Sequence, residues 1–298
     1  MNHYQRNREI AINYEILRRL VQDEFVLKQI VTRERYPELL QVSEFYFKYC
    51  HSSRFIKDFP KVFQMMQRET LASFSQLLPN TKIISKFDEQ YPVSFLLDLK
   101  EDAPLFLYVC GNIALLDRKF TKVVLVGSRS ANEKEMIHAG ELSESLGKSN
   151  YVVTTGYDDI LDTCVQSAAQ TAGFPSITFL HLPLLKSFIE GSLSSSIKRR
   201  LFTVPALMVS PFPPTHNGIL KTESALVGRM LASIGKVSLV MSAKEGGSAH
   251  REAGYCIQMH KPVILPKYIL LSLTFIESSY ILSVNNDEEL MDLLKQFT

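Results

Sequence analysis

Apolar positions in the first 80 residues recur at three- and four-residue spacing. Ile10, Tyr14, Leu17 and Val21 form one set, Leu39, Val42, Phe45, Phe47 and Tyr49 a second, and Val62, Met65, Met66 and Leu71 a third. Such spacing places each set along one side of a helix. The stretch has no glycine and only three prolines, Pro37, Pro60 and Pro79. It predicts three or four helices, closed by the breaker Leu78-Pro79-Asn80. Residues 1–80 therefore read as a small all-α N-terminal domain.

From residue 121 short β-branched runs alternate with helical stretches. Val123 to Val126 predicts a buried strand, Glu133 to Leu146 a helix, Tyr151 to Thr155 a strand and Asp159 to Ala172 a helix. Ser176 to His181, Ala206 to Val209, Ser238 to Met241 and Pro262 to Leu265 predict four more strands. Strands alternating with helices pair in parallel through right-handed crossovers. The expected fold is α/β, a Rossmann-like, doubly wound, mainly parallel sheet following the helical domain. Residues 81–298 form its domain, with a lead-in over 81–120, the sheet core over 121–266 and a short tail over 267–298. Ligands of such sheets bind beyond the carboxyl ends of the strands.

Composition narrows the class. With 46% hydrophobic and 21% charged residues the chain is an ordinary globular one. Its 33 basic and 31 acidic residues leave a net charge of only +2, so a polyanion site has to be a local patch. Cys50, Cys110, Cys164 and Cys256 are widely spaced and form no CxxC or Cys/His cluster. That argues against a zinc knuckle or disulfide scaffold and for a reducing, cytoplasmic setting. No apolar run approaches the ~20 residues of a membrane span, and the charged N-terminus is unlike a signal peptide.

Three segments at predicted strand ends carry candidate chemistry. Gly127-Ser128-Arg129 follows the first core strand. A glycine there permits a tight turn, the amides and the next helix N-terminus suit an anion, and Arg129 adds a planar donor fork. An ordinary turn with a solvated arginine is the alternative. No GxGxxG follows, so this is not a dinucleotide fingerprint. Gly156 ends the next strand, before Tyr157-Asp158-Asp159, where the aspartates suit a helix cap or, alternatively, a metal, although no further ligand stands at the right spacing. Gly246-Gly247-Ser248 is a second potential anion nest. His250, Arg251 and Glu252 after it suggest either acid/base chemistry or a solvated first helical turn. Ser192 to Ser196 with Lys198-Arg199-Arg200 could touch phosphates or face solvent.

Together these residues resemble the DNA-processing protein A (Smf-like) family. Tyr91-Pro92, Asp102-Ala103-Pro104, Leu107-Tyr108 and Gly111-Asn112 are similar to the family's YP…DAP..LY..GN lead-in. Val126-Gly127-Ser128-Arg129 is similar to its (I/V)VGSR turn, and Val153-Thr154-Thr155-Gly156 with Asp162-Thr163 to its VVSG…DT segment. Ser210-Pro211-Phe212-Pro213-Pro214, Arg229-Met230-Leu231-Ala232, Gly247-Ser248 and the tail Leu282 to Leu294 continue the likeness over about residues 87–298. Departures include Asp159, Ile160 and Gln166 in the second segment, Pro211 for a glutamate, and Val227-Gly228-Arg229 for the RNR triplet.

The resemblance implies a cytoplasmic, homodimeric single-stranded-DNA-binding protein. It would protect incoming DNA in natural transformation and load a RecA-type recombinase, without membrane, cofactor, metal or catalytic residues. The expected DNA- and phosphate-binding residues are Gly127, Ser128, Arg129, Gly156, Lys221, Arg229, Gly246, Gly247 and Ser248. A nucleotide-binding or phosphoribohydrolase-like protein of the lysine-decarboxylase-like family is the alternative. Gly246-Gly247 with Glu252 resembles PGGxGTxxE, but Glu252 stands one position early. One position is about 100° of helix rotation, which predicts a carboxylate turned away from the site.

Overall fold

The computed structural model describes residues 1–50, 56–157, 160–186, 205–217, 221–271, 273–274 and 278–297. Asp158, Asp159 and the Ser192 to Arg200 stretch lie outside the described residues. Helix α1 (His3–Val21) begins at a capping box, in which Asn2 accepts from the Gln5 amide and Gln5 answers the Asn2 amide. Its predicted stripe Ile10, Tyr14, Leu17 and Val21 is buried. Helix α2 (Glu24–Ile30), the short α3 (Val42–Phe45) and α4 (Phe59–Phe74) follow. The predicted Leu39 to Tyr49 helix is instead broken into a 3-10 stretch over Tyr36–Gln41, α3 and a π-helical turn over Tyr46–Cys50. In α4 the buried side is Val62, Phe63, Met66, Thr70 and Phe74, while Met65 and Leu71 are about half exposed. This helix packs against α1 along one face only, so the apolar residues beyond that face stay in water.

The helices do not stand apart from the sheet. Ile10, Leu17, Leu39 and Phe45 share a core with Ile83, Phe106, Tyr108 and Cys110. Those last residues belong to the strands β1 (Lys82–Ser85) and β2 (Phe106–Gly111) of the lead-in, which are separated by helix α5 (Val93–Asp98).

The core follows as β3 (Lys122–Val126), α6 (Glu133–Lys148), β4 (Val152–Thr155), α7 (Ile160–Ala172), β5 (Ser176–Phe179), β6 (Ala206–Ser210), α8 (Lys221–Ile234), β7 (Val237–Val240), α9 (Ser248–Gln258) and β8 (Val263–Pro266). Helix α10 (Lys267–Leu270), strand β9 (Ile281–Val284) and helix α11 (Asp287–Leu294) close the described chain. Among the described residues the sheet runs β1-β2-β6-β5-β4-β3-β7-β8-β9. From β6 to β9 every pairing is parallel, while β1 pairs antiparallel with β2, and β2 with β6. The fold is thus an α/β, Rossmann-like, mainly parallel sheet.

Both faces are covered, which explains the unbroken apolar run Val123 to Val126 in β3. Val124, Val126 and Val240 face α8 and α9, whereas Val123, Leu125 and Leu239 face α6 and α7. Burying such a side chain contributes roughly 1.5–3 kcal/mol. The two lead-in strands go beyond the pattern read from the sequence. Gly111 makes their junction possible. Its φ is +117°, and a Cβ there would sit 2.2 Å from the Ala206 carbonyl oxygen. That oxygen accepts from the Asn112 amide at 2.9 Å. The lead-in is held further by the buried Tyr91, whose hydroxyl donates to the Pro104 carbonyl at 2.7 Å. No helix of the described residues is long and apolar enough to cross a membrane.

Candidate nucleic-acid interface

Strand order reverses between β3 and β7: β4 follows on one side of the pair and β8 on the other. A crevice forms at such a switch point, beyond the carboxyl ends of the strands. Here it is a cavity of about 790 Å³. The β3 end contributes Gly127, Ser128, Arg129 and Ser130, the β4 end Gly156, and the first turns of α9 contribute Gly247, Ser248, Arg251 and Glu252. One face of α8, with Ser224 and Gly228, forms a wall.

The turn after β3 owes its glycine to packing rather than to backbone conformation. Gly127 has no positive φ, and a Cβ there would meet the Leu161 side chain of α7 at 2.5 Å. Ser128 and Ser130 hydroxyls lie 2.8 Å apart and shape the loop. The expected support from the following helix N-terminus is absent. Helix α6 starts six residues after Gly127, and Asn132 and Glu135 close its first turn in a capping box. Glu133 and Glu135 place two carboxylates there, so this end does not welcome an anion.

Helix α9 is the open end. Its N-cap is Gly247, and among the described residues no side chain caps the first turn. The amides of that turn have no intrahelical partner, and the helix dipole adds partial positive charge. Gly246, with φ +69°, makes the turn before it. His250 holds this loop rather than presenting itself for acid/base work. Its Nδ1 accepts from the Gly246 amide at 3.0 Å, which leaves Nε2 to donate to the Thr274 carbonyl at 3.1 Å. Arg251 also braces the loop, its Nη1 donating to the Gly246 carbonyl at 2.7 Å.

The β4 and β5 ends form the floor. Asp162 and His181 are buried there, and Thr155 donates to the Asp162 carboxylate at 2.5 Å. Gln166 donates to the Gly156 carbonyl at 2.9 Å, tying α7 to the strand end.

Of the residues expected from the sequence, Gly127, Ser128, Arg129, Gly156, Gly247 and Ser248 line one cavity, and Gly246 lies in its rim loop. Lys221 opens α8, and its side chain lies outside the described residues. Arg229 is elsewhere. One position past Gly228 on α8, it turns away from the cavity, and its Nη1 donates to the Asp102 carboxylate at 2.8 Å. That bond holds the Asp102 carboxyl below its usual range.

Glu252 corrects the opposite expectation. Because α9 begins at Ser248, residues 248, 251, 252 and 255 fall on one face, so Glu252 lines the cavity. Gly228 makes room for it, since a Cβ there would lie 3.1 Å from the Glu252 side chain. Lys244, Asp162 and His181 were not among the expected site residues. Lys244 flanks the Gly-Gly-Ser loop and His181 ends the third predicted strand, so position relative to those motifs was the available signal. Arg129, Lys244 and Arg251 thus face the cavity with Asp162 and Glu252. The arrangement can hold an oxyanion through cations, hydroxyls and open amides. Among the described residues no three His, Cys, Asp or Glu side chains gather as metal ligands.

The architecture has counterparts among solved structures. DNA processing protein A of Streptococcus pneumoniae superposes with a TM-score of 0.61 at 18% identity, over 96% of this chain and 97% of that one. DNA processing protein A of Helicobacter pylori, whose structure addresses a single-stranded DNA binding mode, gives 0.56 at 16% identity, over 73% of this chain and 96% of that one. At these identities the likeness establishes the fold. No curated protein sequence matches the chain. The family model for DNA recombination-mediator protein A matches residues 82–273, from the first lead-in strand through the whole crevice. With about two thirds of its length under that model, the chain belongs to the DNA recombination-mediator protein A family.

Proposed function

We propose that the chain binds single-stranded DNA at the strand-end cavity, without catalysing a reaction on it. The observation that carries this is the uncapped start of α9 beside Arg129, Lys244 and Arg251. Phosphates would be held by cations, hydroxyls and backbone amides, a mode that reads backbone rather than sequence. Family membership and the single-stranded DNA binding mode of the Helicobacter pylori protein support the same ligand class. On this reading the protein acts in the cytoplasm as a homodimer, protecting incoming strands in natural transformation and passing them to a RecA-type recombinase. Two cavities on one strand would raise avidity without new contacts. The test is fluorescence anisotropy with single- and double-stranded oligonucleotides across a salt series. Salt-sensitive binding that favours the single strand supports the proposal, and equal or absent binding refutes it.

Glu252 on the cavity wall favours one competing reading, a phosphoribohydrolase. Incubation with nucleoside monophosphates decides it. Turnover abolished by Glu252→Gln would establish the hydrolase, and DNA binding with no product would exclude it.

A further inference from the structure

A second cleft, of about 380 Å³, opens between the N-terminal helices and the sheet. Sites for small molecules span about 300–1,000 Å³, so its size suits a small organic ligand. Helix α8 separates it from the first cavity. Ser224, Ala225 and Gly228 line one, while Glu223, Leu226 and Arg229 line the other.

Charged groups in this cleft are held in pairs, with one exception. Each of its carboxylates faces a basic side chain: Glu15 with Arg18 at 2.9 Å, Glu24 with Lys28 at 3.5 Å, Asp102 with Arg229 at 2.8 Å, and Glu223 with His216 at 3.2 Å. Lys86 is left over. It is partly buried and lines the cleft, yet among the described residues its ammonium makes no ion pair or hydrogen bond. The ammonium lies over the Phe87 ring, 5.3 Å from its centroid. Burial, and then the positive charge of Lys28, pushes its pKa down. An ammonium withdrawn from water without a counter-charge is unfavourable.

The cleft holds hydroxyl donors in a similar state. Tyr108 is 1% exposed and Tyr14 8% exposed, both line the cleft, and neither hydroxyl makes a hydrogen bond among the described residues. Neither oxygen is sealed off in the interior, so both open onto the cleft, where a ligand can reach them. Phe106 and Phe212 add apolar wall beside them.

We propose that this cleft binds a small organic anion. Lys86 is the counter-charge to a single phosphate or carboxylate group, the Tyr14 and Tyr108 hydroxyls donate to ligand oxygens, and Phe106 and Phe212 pack on its apolar body. The site is separate from the DNA interface, and its failure would leave that reading standing.

The test is calorimetric titration of the full chain, at constant ionic strength, with adenosine 5′-monophosphate, 4-hydroxybenzoate and inorganic phosphate. Saturable binding of at least one organic probe is expected, with the nucleotide and the benzoate separating phosphate from carboxylate. Losing a charge-assisted hydrogen bond should weaken it about tenfold in Lys86→Met, while Lys86→Arg retains it. Lys86→Gln serves if Lys86→Met does not fold. Arg129→Ala should leave the binding unchanged. No saturable binding by the three probes would overturn the proposal. So would binding indifferent to Lys86→Met and Lys86→Gln, binding lost with Arg129→Ala, or inorganic phosphate binding as tightly as the organic probes.

Discussion

Arg129 and Arg229 make the sharpest test, because they look equivalent in the sequence and are not equivalent in the fold. Arg129 is exposed in the loop after β3 and lines the cavity, whereas Arg229 is tied to Asp102 on the far side of α8. Each phosphate neutralised on a single strand contributes a slope of about −0.7 in log K against log salt. Arg129→Ala should therefore shallow the slope by about 0.7 and weaken binding roughly fivefold, about 1 kcal/mol. Arg229→Ala should leave slope and affinity unchanged. Its cost falls on stability instead. Asp102 is 54% exposed and solvent screens the pair, so the loss is about 0.5 kcal/mol or less, a shift of about 1 °C in the melting midpoint. Anisotropy titrations at four salt concentrations and a thermal melt of each variant measure all of this. If Arg229→Ala shallowed the slope as much as Arg129→Ala, the reasoning from the Asp102 bond would be refuted.

Gly111→Ala combines a forbidden φ with a clash against the Ala206 backbone, and should destabilise the protein by about 3 kcal/mol or more in urea denaturation. Lys122 is buried with its ammonium on the Asp117 and Phe120 carbonyls, and burial lowers its pKa from 10.5 to about 8. The unfolded chain then binds more protons between about pH 8 and 10.5, so this residue makes stability rise with pH across that window, by up to about 3 kcal/mol. Lys122→Met should flatten the rise when denaturation curves at pH 7.5 and 9.5 are compared with wild type. Burial pushes the thiols of Cys50 and Cys256 up to about 11, whereas Cys164 is only partly buried. A maleimide should therefore label Cys164 first and the other two only on unfolding, as peptide mapping would report.

The most family-like residues of the lead-in hold the fold rather than a ligand. Tyr91 bonds the Pro104 carbonyl, Asp102 holds Arg229, and Gly111 gives the backbone its close approach to β6. Asn112 caps the short turn that follows, accepting from the Ala114 amide at 3.2 Å. A resemblance resting on them is therefore strong evidence of architecture and says less about the binding chemistry. The tightening at Gly228, where Glu252 and Tyr255 come close to α8, lies in the departures instead.

Periodicity in the sequence was enough to place the first and last N-terminal helices, the strands and helices of the core, and the glycine-bearing strand ends, because each depends on local spacing and on which face is buried. It gave no sign of α2 and read the broken Leu39 to Tyr49 stretch as one helix. Two kinds of fact needed the tertiary structure. The first is partner choice. Nothing local in Lys82–Ser85 or Phe106–Gly111 says that these segments pair antiparallel with each other and extend the sheet through β6, since pairing is settled by contacts distant in sequence. The second is direction. The sequence groups Arg229 with the strand-end residues and turns Glu252 away from them, whereas the fold does the reverse, because a side chain's bearing depends on where the helix begins and what packs on it. The same holds for the two helix starts. Both follow a glycine-bearing strand-end loop, but Asn132 and Glu135 close α6 while Gly247, having no side chain, leaves the first-turn amides of α9 open.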